Sequence, residues 1–182
     1  MKLDNHGWLK ACRRVESPNQ DERPAGEAVT LLVVHSISLP PREYGGAAIE
    51  ALFTNRLDPS AHPYFAGIAA LRVSSHFLIR RDGEPVQFVS TARRAWHAGA
   101  STWRARSGCN DFSVGVELEG TDDGPFERAQ YAALVALIGA LRARLPLREL
   151  AAHSDIAPGR KTDPGPGFDW PRLLAALAQH NI

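Results

Sequence analysis

The sequence predicts an α+β fold, a single domain with a central mixed β-sheet flanked by helices. Three observations carry this. Residues 29–34 are a β-branched run, apolar on both faces, which suits a strand covered from both sides. Residues 112–119 alternate, with Val114, Val116 and Leu118 on one face and Gly115 and Glu117 on the other. Residues 126–145 place Tyr131, Leu134, Val135, Ile138, Leu141 and Leu145 at helical spacing, and Pro146 ends the run. A chain of 182 residues, 44% hydrophobic and 23% charged, is large enough for one domain with its own core. Its net charge of +1 supplies no general attraction to nucleic acid or to an anionic membrane, so neither is expected as a partner.

In chain order, residues 1–28 are polar and turn-rich and read as an arm packed on the domain, which itself spans residues 29–182; Trp8 is the expected anchor of the arm. No apolar leader core follows Met1, and Cys12 and Cys109 lie far apart, so a cytoplasmic protein with two free thiols is expected. His35 closes the first central strand at its C-terminal end, where mixed α/β sheets commonly place their chemistry. Residues 46–53 read as a short helix, and the long aromatic-bearing loop 55–72 reads as a binding wall. Asp82-Gly83 turns a hairpin between residues 76–80 and 85–89. Leu150, Ala151 and Ala152 form a short strand, and Asp169 with Pro171 opens the last helix.

The chemistry gathers around residues 152–165. Pro158 and Pro164 keep this segment from continuing a helix, so Lys161 and Asp163, two apart in extended chain, project into one space. His153 reaches the same space from its strand end. His35, His153 and Asp163 then make a set of two nitrogens and one oxygen that suits Zn²⁺ with an open position, and Fe²⁺ or Mn²⁺ less well. Hydrolysis of an amide also needs a base for the water proton and a cation for the oxyanion. Glu117 is the candidate for the first and Lys161 for the second. Gly115, beside Glu117 on its strand face, leaves room for something to approach that carboxylate. His76 is expected in the core or behind the site, and His97 along the cleft; His6, His62 and His180 carry no assigned role.

Six segments in order complete a pattern: residues 31–35 ending in His35; 62–68 from His62-Pro63-Tyr64; 75–83 through Arg80-Arg81-Asp82-Gly83; 94–99 around Trp96-His97-Ala98-Gly99; 110–120 through Gly115-Val116-Glu117-Leu118-Glu119-Gly120; and 153–165 from His153 to Gly165. Together they resemble the AmpD family, the cytoplasmic 1,6-anhydro-N-acetylmuramyl-L-alanine amidases of Gram-negative bacteria. The resemblance covers nearly the whole chain. It implies a fold shared with peptidoglycan recognition proteins and phage T7 lysozyme, zinc on His35, His153 and Asp163, and catalytic Glu117 and Lys161. The implied substrate is a muropeptide, cut between the lactyl group of the anhydro sugar and L-alanine during cell-wall recycling, with an indirect effect on β-lactamase induction. Ser36, Tyr64, Arg72, Trp96 and Arg160 are the implied substrate contacts, and a monomer is expected. Two positions depart from the family pattern: Ser36 stands where asparagine is common and Gly108 where a basic residue is common, with Arg106 as a possible substitute. A rival reading, a non-catalytic muropeptide binder on the same fold, has no need of Glu117 and Lys161.

Overall fold

The computed structural model describes residues 1–10 and 12–182. Its centre is a six-stranded sheet made of β1 (Arg13–Arg14), β3 (Leu31–Ile37), β4 (Phe77–Ile79), β5 (Pro85–Gln87), β9 (Ser113–Glu119) and β10 (Glu149–Ala152), in spatial order β1-β5-β4-β9-β3-β10. β4, β9, β3 and β10 run parallel, whereas β5 is antiparallel to β4 as the Asp82-Gly83 turn requires. The sheet is therefore mixed. Two small ladders complete the β-structure: β2 (Gln20–Glu22) with β6 (Arg93–Ala95), and β7 (Thr102–Trp103) with β8 (Arg106–Ser107). The helices are α1 (Ala48–Phe53), α2 (Arg128–Arg142), α3 (His153–Ile156) and α4 (Trp170–Gln179).

The two faces of the sheet are covered differently, and this positions the site. On one face Leu32, Val34, Val114, Val116 and Leu118 pack with Leu134, Leu137, Ile138 and Leu141 of α2 and with Leu173 and Leu177 of α4. These are the positions that the period-2 and helical patterns pair. The opposite face is covered by two separate clusters: α1 with Leu78, Val86 and Phe88, and a second one of Leu31, Val33, Phe112, Ala151 and Ile156. The cleft that holds His35 and Glu117 is lined from both sides, by Leu52 and Phe53 of α1 and by His153 of α3. α4 begins where expected, with Asp169 accepting the backbone N–H of Arg172 at 2.9 Å.

Residues 1–10 and 12–28 are stitched into this frame. Leu3 and Leu9 are buried, while Trp8 is half-buried beneath the Arg14 guanidinium, so leucines anchor the segment more than the tryptophan does. β1 extends the edge of the sheet, and Arg23 donates to the carbonyls of Thr91, Asn110, Asp111 and Ser113, holding the entry to β9. Arg80 and Glu119 are buried and paired at 2.8 Å, with Glu50 and Arg13 continuing the chain of charges outward. Removing one member would strand its partner's charge in a poorly hydrated place. Cys12 and Cys109 are both free thiols. No helix among the described residues is long and apolar enough to cross a membrane.

Candidate metal centre and active site

Strand parity builds the centre. Leu32 and Val34 face α2, so His35 faces the other side, and the parallel register sets His35 directly beside Glu117 of β9. β10 lies on the other flank of β3 with Ala152 opposite Val34, so the next residue, His153, arrives level with His35. α3 then turns the chain away. The loop returns to place Asp163 alongside, tied by the Ser154 N–H, which donates to the Asp163 carbonyl at 3.0 Å.

Three ligand atoms converge. His35 Nδ1 lies 2.9 Å from His153 Nδ1 and 3.2 Å from Asp163 Oδ2, and His153 Nδ1 lies 3.0 Å from the same oxygen. The opposite nitrogen of His153 donates to the Ala98 carbonyl at 3.3 Å, which leaves its Nδ1 as a lone pair. Bare lone pairs this close repel, whereas ligands about 2.0–2.2 Å from a tetrahedral zinc lie roughly 3.3–3.6 Å apart. The set therefore fits one small dication after only a slight relaxation. Burial pushes the His35 imidazole down to about 4, against the opposing pull of Asp163, which keeps the ring neutral and able to ligate. Burial raises the Asp163 carboxyl, but its close approach to the His153 and His35 rings outweighs that and holds the group below its usual range.

This centre floors a cleft of about 390 Å³. Leu39, Leu52, Phe53, Ile68, Leu71 and Val73 make an apolar wall, and Ser36, Thr121, Asp122, Lys161 and Asp163 a polar one. Glu117 opens into the same space; it is only 9% exposed, and its Oε2 has no hydrogen-bond partner among the described residues. Burial, reinforced by Asp163 and opposed by Lys161, pushes its carboxyl well up. Ser36, Tyr64 and Trp96 line the cleft; Arg72 and Arg160 do not. Arg72 donates to the carbonyls of Ala70 and Leu71, and Arg160 to those of Ala98 and Ala100.

Residues 25–166 match the family model described as N-acetylmuramoyl-L-alanine amidase. The chain belongs to this family. It is 59% identical over 179 residues to the 1,6-anhydro-N-acetylmuramyl-L-alanine amidase AmpD of Citrobacter freundii, covering 97% of this chain and 95% of that one. The Escherichia coli K12 protein of the same name is also 59% identical, over 97% of this chain and 98% of its own. A crystal structure of a selenomethionine AmpD derivative superposes with a TM-score of 0.95 at 58% identity, covering 97% of this chain and 99% of that one. The more distant amidase AmiD of E. coli, solved with anhydro-N-acetylmuramic acid-L-Ala-D-γ-Glu-L-Lys, superposes with a TM-score of 0.60 at 28% identity, over 96% of this chain and 62% of that one.

Several features of the amidase site were not expected from its sequence. The room beside Gly115 is taken by the His97 ring, whose Cγ lies 2.5 Å from where a Cβ would stand, so the glycine serves His97 and not an approach to Glu117. His97 Nδ1 lies 2.9 Å from His35 Nε2, and His97 Nε2 lies 3.1 Å from Ser113 Oγ. Asp122 accepts from Ser36 Oγ at 2.7 Å and also from Thr162 Oγ1, bridging the chain neighbours of two candidate ligands, His35 and Asp163. A polar group three residues beyond β9 gave no sign of this. At the two departures from the family pattern, Ser36 is engaged by Asp122, and Gly108 has the left-handed φ of 75° that favours glycine. Arg106 stacks 3.8 Å over Phe112 and pairs with Glu27, away from the residues that line the cleft.

Proposed function

We propose that the protein is a zinc hydrolase that cleaves the amide between the lactyl group of 1,6-anhydro-N-acetylmuramic acid and the L-alanine of a stem peptide. The observation that carries this reading is the convergence of His35, His153 and Asp163 on one point of a cleft that also holds a buried, unpartnered Glu117 and the Lys161 ammonium. The names and full-length identity of the AmpD relatives support the anhydro sugar as substrate. When bound, zinc supplies Lewis acidity and an acidified water at its open position.

The chain supplies the rest. Glu117, whose carboxyl burial pushes well up, accepts the proton of the attacking water and returns it to the departing amine nitrogen. Lys161, on the polar wall, offers its ammonium to the oxygen that gains charge as the carbonyl becomes tetrahedral. The apolar wall excludes water, and Trp96 and Tyr64 present aromatic faces to the sugar. Ser36 offers a hydroxyl already oriented by Asp122. Arg72 and Arg160 are exposed and adjoin cleft-lining residues; we assign them to stem-peptide carboxylates, for which they exchange their present backbone acceptors. A monomeric, cytoplasmic enzyme of muropeptide recycling, with residues 1–28 as an arm on a 29–182 catalytic domain, completes the proposal.

Incubation of the zinc-loaded protein with anhydromuropeptide and with its reduced-sugar analogue, read by mass spectrometry, tests it. Free stem peptide is expected from the anhydro substrate. A zinc-bound protein that retains muropeptide without releasing peptide would instead be the binding module.

A further inference from the structure

Behind His35 lies a chain of hydrogen bonds whose direction can be worked out. Ser113 Oγ contacts two groups, the Cys109 carbonyl and His97 Nε2. A carbonyl only accepts, so the single hydroxyl hydrogen is spent on Cys109, and Ser113 Oγ must accept the hydrogen of His97 Nε2. A neutral imidazole has one N–H only, so with that hydrogen on Nε2 toward Ser113, His97 Nδ1 is the lone-pair nitrogen. That lone pair faces His35 Nε2 at 2.9 Å and takes its hydrogen, which in turn makes His35 Nδ1 the lone-pair nitrogen. The ring is also fixed in place. Gly115 leaves no more than the space His97 fills, and the Asn110 side-chain oxygen accepts the backbone N–H groups of His97 and Ala98.

We propose that His97 is a positioning residue: held by Ser113 as the Nε2–H tautomer, it accepts the Nε2–H of His35 and turns the His35 Nδ1 lone pair onto the metal point. This rests on the reading of His35, His153 and Asp163 as zinc ligands. His153 needs no such device, because the Ala98 carbonyl fixes its tautomer directly. Groups that hold a ligand histidine in this way typically alter metal affinity by 10- to 100-fold when removed.

Two measurements on the full chain test it. In the metal-free wild type, nitrogen-15 shifts of the histidine rings should show the hydrogen of His35 on Nε2 and that of His97 on Nε2; a hydrogen on His35 Nδ1 overturns the proposal. Zinc affinity by chelator competition should then fall roughly 10- to 100-fold in His97→Phe, which keeps a ring and loses the acceptor. In His97→Asn, whose amide oxygen can stand where Nδ1 stood, it should fall much less. A merely space-filling role predicts the reverse order, and that order, or wild-type affinity in the Phe variant, overturns the proposal. If the wild type itself binds no zinc, the metal reading fails instead, and the tautomer measurement still decides the role of His97.

Discussion

Glu117→Gln separates the proton-transfer role from every structural one. The substitution keeps the volume and removes the charge and the basicity. Peptide release should fall on the order of 10²- to 10⁴-fold, the range for a positioned base. Zinc stoichiometry should stay the same, because the three converging atoms belong to His35, His153 and Asp163. Stability of the metal-free protein carries a second signature. Burial raises the Glu117 carboxyl, so above the unfolded value of about 4.3 the folded state holds a proton the unfolded chain has lost. Stability attributable to this group therefore declines as pH rises, by about 1.4 kcal/mol per pH unit, until the folded value is passed. His35 acts in the opposite sense: its folded value of about 4 makes stability rise with pH up to about 6.5. That contribution is common to both proteins and cancels in the difference. Urea unfolding across a pH series, wild type against variant, should show the Gln protein gaining relative stability as pH rises above about 4.3. Wild-type turnover in the variant, loss of its zinc, or a pH-independent difference would each refute the reasoning.

Asp163→Ala removes the oxygen ligand and should leave the purified protein without stoichiometric zinc by metal analysis; full occupancy would move the ligand elsewhere. Lys161→Met should keep zinc and lower kcat on the order of 10²- to 10³-fold, as for loss of one oxyanion donor, and a change below tenfold would remove it from that role. Gly115→Ala drives a methyl group into His97 and should cost about 2–5 kcal/mol in urea unfolding, from overpacking plus a disrupted buried hydrogen bond; an unchanged midpoint would mean that the ring yields freely.

Much of the frame is local and therefore legible in the chain. The hairpin follows from Asp82-Gly83, α2 from its period, the start of α4 from Asp169, and the alternation of β9 sorts Val116 from Glu117 correctly. The candidate ligands, too, sit at strand ends or in a proline-bounded loop, where sequence reasoning looks for chemistry. What the chain hides is pairing over distance. Nothing near Arg13 indicates that it continues the sheet beside Val86, and nothing near Ser113 indicates that its hydroxyl orients a histidine sixteen residues earlier. Gly115 misled for the same reason: a missing side chain shows that something comes close without saying what does. Arg72 and Arg160 were implied as substrate contacts by family pattern alone; neither lines the cleft, and their guanidiniums rest on backbone carbonyls.

X-ray absorption at the zinc edge of the loaded protein bears most directly on the whole account. One zinc per chain with two nitrogens at about 2.0–2.1 Å and oxygen ligands at about 2.0–2.2 Å is predicted. That shell should lose one histidine contribution in His35→Ala and another in His153→Ala. A sulfur ligand, or a shell unchanged by either substitution, would contradict it.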